Sequence, residues 1–575
     1  MLRYTVRQLH FLDNTTEDLV EDGITVIVGP NNSGKSVLLG EISSLAQNGS
    51  IHSAKWLSHA TIDRNGTTED LTDWFNRVAK VVPSWQREQF GADFGIWDSS
   101  SGQQFYSLET AQNIWFSSMP LGSIAHHFVA HLDARSRSGI SLGGAARDPL
   151  TSAVQPIHKL WDSRELEAHF SMMVRRAFGF DICINRYAQS LNLLVGKTTI
   201  PDEPLPPSNA LMEQYARMPA VDEQGDGVRS FVGLLLATVV AGTSVTLIDE
   251  PEAFLHPPQA RLIGKYLSEE TPPGSQILIA THSADVLDGI LDSKHRRPVK
   301  IIRVSTDPVT NSRRRTTLPA DRVEKLWSDP LLRYSRLMNG LFHKGVIVCE
   351  ADGDCRFYAA VLDVILNKEH EHDLFFTHVN GKARLHRAVE EMRSSGVRVA
   401  AIADIDILND ASTMKTIINA AEGQWSDFES DIRSLINENR GRSTVMTVGG
   451  LRQSTSEILR RGDGSQISDL EAKKLISNLK PKSGWAEAKR SGLAAFEGSS
   501  ALTIRRVLEK LREIGIFVVP VGELERWFPQ VIGNHGPGYV TAVLESAAHE
   551  TPSPELRGFV NQLLAYFGVG SPEYL

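Results

Sequence analysis

The 575-residue chain is poor in the features that would tie it to an oxidising or membrane setting. It has three cysteines, Cys183, Cys349 and Cys355, too few and too irregularly spaced for a disulfide framework or a structural zinc site. Cys349 lies inside an apolar run and reads as a small buried hydrophobe. No uncharged apolar stretch reaches the ~18 residues that span a bilayer. The start, Met1-Leu2-Arg3-Tyr4-Thr5-Val6, has no apolar core of a signal peptide. The expectation is a cytoplasmic protein without a membrane partner. A basic excess is missing too: 60 Lys and Arg stand against 69 Asp and Glu, a net charge of −9, so any DNA contact has to be local. Two basic clusters, Lys294-His295-Arg296-Arg297 and Arg313-Arg314-Arg315, read either as solvated loops or as phosphate contacts. No sustained heptad run appears, which excludes a long coiled coil.

What is present is ordinary globular composition, 41% hydrophobic, over a length that suits two to four domains. Near the start, the apolar run Gly23 to Val28 leads into Gly29-Pro30-Asn31-Asn32-Ser33-Gly34-Lys35-Ser36 and then the helical pattern Val37 to Ile42. Strand, glycine-rich loop and helix in that order cradle phosphates with backbone N–H groups and a helix N-terminus. Lys35 would reach the β and γ oxygens and Ser36 would join Mg²⁺. A second strand, Ser244 to Ile248, ends in Asp249-Glu250, and a third, Gln276 to Ala280, ends in Thr281-His282-Ser283. The first acid suits Mg²⁺ binding, the adjacent Glu250 suits polarising a water, and His282 suits sensing a γ-phosphate. Alone, an acid pair after a strand caps helices as readily as it catalyses; with the phosphate loop ahead of it, it reads as an ATP site.

The second half carries a different pattern. Val346-Ile347-Val348-Cys349 ends in Glu350 with Asp354 beyond, and Val399 to Ala403 ends in Asp404 with Asp406 beyond. Between them lie the helical Arg356 to Leu366, the strand Leu374 to Val379, Asn380-Gly381-Lys382 and the helical Arg384 to Ser394. Alternating strands and helices predict a parallel sheet with its ligands at the carboxyl edge. Four carboxylates there suit one or two Mg²⁺ or Mn²⁺ ions and phosphodiester chemistry, because hard cations prefer oxygen donors. The bland alternative is solvated loop acids and helix caps. The fold class expected is α/β throughout.

These residues carry a family resemblance. The phosphate loop, Leu247 to Pro257 (LIDEPEAFLHP) and Ala280 to Leu287 (ATHSADVL) resemble the Walker A, Walker B with D-loop, and switch-histidine segments of ABC-type ATPases of the SMC class. Glu223 to Ser230, with Gly225 and Gly227, resembles a degenerate ABC signature that lacks Leu-Ser-Gly-Gly. The resemblance implies ATP bound by Gly29, Asn31, Asn32, Ser33, Gly34, Lys35, Ser36, Asp249, Glu250 and His282, closed by Gly225 and Gly227 of another subunit. The second half resembles a Toprim domain: Glu350 and Asp354 match Glu-Gly-x-x-Asp, with Ala351 at the usual Gly, and Asp404 and Asp406 match Asp-x-Asp. Gly is better suited to a tight turn there, so a displaced loop relieved at Gly353 is expected. An ABC-type ATPase ahead of a Toprim domain is similar to the OLD (overcoming lysogenization defect) family, to which the Gabija nuclease of bacterial defence is related.

That resemblance implies an ATPase domain over 1–325 with a helical insertion at roughly 45–220, a helical linker over 326–343, and a Toprim nuclease domain over 344–575 with a helical insertion at roughly 410–514. It implies a divalent-metal-dependent DNA endonuclease regulated by its ATPase and serving anti-phage defence. The partners implied are DNA, further copies in a homodimer or tetramer, and an accessory defence protein or nucleic acid. Glu523 or Glu525, after the strand Ile516 to Val521, would complete the metal shell beside Glu350, Asp354, Asp404 and Asp406, and Lys482 or Lys489 would approach the scissile phosphate. The rivals are an ATP-driven DNA-binding or sensing protein whose acidic site has decayed, and a topoisomerase, which would need a nucleophile among Tyr334, Tyr358, Tyr539, Tyr566 and Tyr574. Six tryptophans between the phosphate loop and the signature, Trp56, Trp74, Trp85, Trp97, Trp115 and Trp161, are expected in core or interface.

Overall fold

A computed structural model describes residues 2–78, 80–81, 91, 93–98, 102–117, 119–140, 143–147, 153, 155–204, 206–293, 297–306, 312–329, 336–367, 372–379, 381–441, 448–459, 468, 472, 476, 484–531 and 536–569. It divides into two compact units, Met1–Asp307 with Ser312–Ser328, and Pro308–Asn311 with Asp329–Leu575. Lys482, Tyr334, Tyr574, Trp85 and the cluster Lys294-His295-Arg296 lie outside the described residues.

In the first unit, apolar central strands and a polar edge strand build a six-stranded sheet in the order Arg313–Leu318, Val299–Thr306, Ile24–Val28, Gln276–Ala280, Val245–Asp249, Val129–Leu132. All neighbours run parallel except the first pair. Every residue of Ile24–Val28 and Gln276–Ala280 is buried, as expected for strands covered on both faces. Register sets the functional edge: Asp249 stands beside Ala280, and Ala280 beside Ile27. The phosphate loop, the acid pair and Thr281-His282 therefore leave the sheet at one level.

The stretch 45–220 is mixed, not helical. Leu57–Asn65 pairs along the whole of Arg3–Phe11 in an antiparallel sheet, and Val129–Leu132 adds an edge strand to the main sheet. The alternating pattern of these strands is short and interrupted by polar residues, which hid them among helical segments. Trp56 and Trp115 are buried, and Trp74 stacks on Phe128 at 4.6 Å. Arg313 lies over the Trp56 ring and Arg315 over Phe11, with centroid distances of 5.3 and 3.5 Å. That basic cluster is thus packed on aromatic faces.

The second unit holds a four-stranded parallel sheet in the order Leu374–His378, Gly345–Cys349, Arg398–Ala403, Ile516–Val518. Helices Asp352–Ile365, Leu385–Ser394 and Ser499–Glu513 follow the strand pattern. Pro554–Phe567 buries Leu556, Phe559, Val560, Leu563 and Leu564 against one face. Where a helical linker is expected over 326–343, the described residues include the end of helix Ala320–Ser328 and a 3-10 segment Leu337–Phe342. Asp329 precedes a proline, which disfavours helical backbone at the residue before it, and Arg336 sits at φ 56°.

Candidate functional sites

In the first unit, Gly29, Asn32 and Gly34 take positive φ of 147°, 59° and 90°, which turns the loop tightly around the start of helix Lys35–Asn48. A Cβ at Gly29 would meet the Val304 carbonyl oxygen at 2.0 Å, so only glycine fits. The buried Lys35 Nζ donates to the carbonyls of Gly29 and Pro30, both at 2.9 Å. Ser36 Oγ donates to Asp249 Oδ1 at 3.0 Å, which joins the two residues expected at Mg²⁺. Burial raises the Asp249 carboxyl above its usual range, against the Ser36 hydrogen bond. His282 Nδ1 lies 3.4 Å from Glu250 Oε1. Glu250 itself is held at φ 48°. Gly225 caps the helix Asp226–Leu235, and Gly227 lies inside it against the Phe254 carbonyl, which a Cβ would meet at 2.7 Å.

Arg137 escaped the sequence reading. It is fully buried; its Nη1 and Nη2 donate to the carbonyls of Asp249 and Glu250 at 2.7 and 2.9 Å, and its Nε donates to Ser230 Oγ at 3.3 Å. One guanidinium thus ties the helix after Gly225 to the backbone of the acid pair. Nothing in the local sequence Ala134-Arg135-Ser136-Arg137 marks it, since the partners are carbonyls more than a hundred residues away.

In the second unit, Glu350 and Asp404 follow the last residues of adjacent parallel strands. The Asp404 N–H donates to Glu350 Oε1 at 3.3 Å. Lys489 Nζ is 3.1 Å from Asp404 Oδ2 and 3.9 Å from both Asp406 Oδ2 and Glu523 Oε2. Lys382 Nζ is 3.0 Å from Asp406 Oδ2, a partner for which the sequence gives no sign although Gly381-Lys382 lies between the two acidic strand ends. Glu523 also pairs with Arg526 at 3.3 Å. Glu525 accepts the Gly536 N–H at 2.8 Å, and its charge bears on Asp354.

Two glycines make the lysine contact possible. A Cβ at Gly522, φ 106°, would meet the carbonyl oxygens of Lys489 and Ala488 at 2.3 and 2.7 Å, and one at Gly492 would meet that of Pro520 at 2.2 Å. Helix Gly484–Ser491 therefore sits directly on the turn after strand Ile516–Val518.

Ala351 shows no displaced loop. It is extended, φ −137° and ψ 163°, a conformation any residue adopts, and its N–H donates to Asp354 Oδ2 at 3.0 Å. Gly353 takes no strain because it lies within helix Asp352–Ile365.

Burial raises Glu350 and Asp354, with neighbouring carboxylates adding to it, and raises Asp404 to about 7 against the opposing charge of Lys489. Lys489 is raised in turn by Asp404, Asp406 and Glu523, which outweigh its own burial. An oxygen-only set of crowded carboxylates fits a hard divalent cation. Among the described residues no group of three or more His, Cys, Asp or Glu side chains closes into a metal cage; Asp404, Asp406 and Glu523 are paired instead with the ammonium groups of Lys489 and Lys382. Three tyrosines of the topoisomerase reading are structural: Tyr358 is buried and accepts the Trp527 indole N–H at 3.1 Å, Tyr539 is bonded to the Phe528 backbone, and Tyr566 accepts from Arg393.

The parallel sheet, the phosphate loop and the acid pair at one edge define the first unit as a P-loop ATPase fold. The family profile described as "AAA domain, putative AbiEii toxin, Type IV TA system" matches residues 208–288, a span that includes Gly225, Gly227, the acid pair and His282. The Old nuclease of Escherichia phage P2 is 27% identical over 177 residues, 29% of this chain and 28% of that protein's length. Solved structures that resemble the chain include an SMC head bound to the C-winged helix domain of ScpA, with a TM-score of 0.33, 12% identity, and coverage of 56% of this chain and 98% of that one. The SMC head domain of Thermotoga maritima gives 0.26, 13%, 55% and 97%. A nucleotide-free cassette of an ABC transporter gives 0.23, 13%, 58% and 98%. These scores are low, and the reading of the fold rests on the strand order and the loop. No described helix is long and apolar enough to cross a membrane.

Proposed function

We propose that the chain is an ATP-binding, divalent-metal-dependent DNA endonuclease of OLD type, with a Toprim-like second unit whose cleavage is regulated by the ATPase. The observation that supports this most is the convergence of Glu350, Asp404 and Asp406 with Lys489 at the carboxyl edge of the parallel sheet. Glu350, Asp354, Asp404 and Asp406, with Glu523 beside them, would hold Mg²⁺ or Mn²⁺. Such an ion supplies Lewis-acid charge to phosphate oxygens.

The chain's own residues do the rest. Lys489, charged and held by three carboxylates, would balance a phosphate brought to the acids. Lys382 holds Asp406 in place from beyond the end of strand Leu374–His378, across the intervening strand Gly345–Cys349. On the ATP side, Lys35 and Ser36 would bind the phosphates and Mg²⁺, Asp249 would complete the ion's shell, Glu250 would orient water, and Gly225 and Gly227 would meet the nucleotide of a second copy.

The test is incubation with supercoiled, linear and single-stranded DNA, with Mg²⁺ or Mn²⁺ and with or without ATP. Metal-dependent cleavage that disappears in the double variant D404A/D406A, while ATP binding persists, is the expected result. The pairing of Asp404, Asp406 and Glu523 with lysines favours the rival reading of a DNA-binding or sensing protein with a silent acidic site. DNA binding without cleavage in every combination would select that rival.

A further inference from the structure

We infer that Glu252, two residues beyond the acid pair, is a positioning residue that orients His282 toward a bound nucleotide. This rests on the proposal that the first unit binds ATP.

Glu252 is 9% exposed, and a carboxyl group so placed needs hydrogen-bond partners. It has them on a single neighbouring strand end. Thr281 Oγ1 lies 2.8 Å from both carboxylate oxygens, and the His282 N–H donates to Oε1 at 2.9 Å. The His282 ring nitrogen Nδ1 lies 3.1 Å from the same oxygen. Glu252 therefore grips backbone, ring and preceding residue together. The cation opposite it is Arg137, whose guanidinium feels Glu252 more strongly than any other acid.

The chemistry follows from which nitrogen is held. A carboxylate at Nδ1 accepts a hydrogen bond from the proton there and turns Nε2 outward, the nitrogen that donates to a γ-phosphate when the ring carries both protons. The ring is 46% exposed, so without such a grip its two χ angles would sample several directions. Orientation by a buried partner converts that freedom into one pose. Arg137 in turn bonds Ser230 on the helix that follows Gly225.

The experiment is a double-mutant cycle on the full chain with E252A and H282A. E252A is expected to lower turnover at saturating ATP about tenfold or more with little change in ATP affinity, and to cost nothing further in the H282A background. Independent, multiplicative losses would overturn the inference, because they would mean that Glu252 acts elsewhere. E252Q keeps one acceptor oxygen and nearly the same shape; it serves if E252A does not fold, and partial rescue is expected from it. Hydrogen exchange of the 276–288 segment without nucleotide is a second arm: faster exchange at the His282 amide is expected in E252A or E252Q, and unchanged exchange overturns the grip itself. Absence of ATP binding in the unaltered chain would defeat the nucleotide reading alone, since the exchange arm still reports on the grip.

Discussion

Lys489 Nζ sits 3.1 Å from Asp404 Oδ2, a contact that joins a helix of the 403–516 connection to the end of a core strand. It makes the charge of Asp404 depend on a residue far away in sequence. Burial drives this carboxyl up to about 7 from an ordinary 3.8, and Lys489 is the largest force pulling it down.

Removing the lysine charge should therefore push Asp404 higher still. Metal binding competes with its proton, so affinity for Mn²⁺ should rise as pH increases through about 7 in the unaltered chain and at higher pH in K489M. Calorimetric titration between acid and mildly alkaline pH checks this; an unchanged pH dependence would count against the coupling.

The same group sets a sign for stability. Its folded value lies above its unfolded one, so its contribution is fully present below 3.8 and is lost as pH rises through about 7. D404N should flatten that loss, and a divalent cation should reverse it in the unaltered chain but not in D404N. Thermal unfolding across this pH window is the measurement.

G522A should damage the second unit without touching nucleotide binding. A Cβ there would drive into the Lys489 and Ala488 carbonyls at a φ of 106°, which costs on the order of 2 kcal/mol or more. The expected outcome is a lower urea midpoint, loss of any metal-dependent cleavage, and ATP binding equal to that of the unaltered chain.

R137A should be more destabilising than an ordinary polar substitution. It strands the carbonyls of Asp249 and Glu250 and the Ser230 hydroxyl, a loss of about 2 kcal/mol or more. R137K should recover only part of this, because one ammonium cannot fork to two carbonyls. Unfolding midpoints of the three proteins decide it, and equality of R137K with the unaltered chain would refute the fork.

K35A should abolish nucleotide-induced stabilisation. The Nζ is already directed into the loop through the Gly29 and Pro30 carbonyls, so its loss removes both a loop contact and a phosphate partner. A thermal shift with Mg²⁺ and ATP, present in the unaltered chain and absent in K35A, is the expected pair of results.

Local chemistry was readable from the chain alone wherever the requirement is local. Gly29 to Ser36 follow a buried strand because only that order turns backbone N–H groups toward phosphates, and Asp249, Glu350 and Asp404 each stand where an apolar run stops. Short-range patterns failed where pairing was remote or edges were short: Leu57–Asn65 reads as neither strand nor helix until Arg3–Phe11 lies beside it, and the extended backbone at Ala351 answers a concern about glycine that sequence could only raise. Arg137, Glu252 and Lys382 belong wholly to the tertiary structure. Their partners are backbone carbonyls, His282 and an acid on other strand ends, and a contact between two such points follows from register and sheet order, which no window of sequence contains.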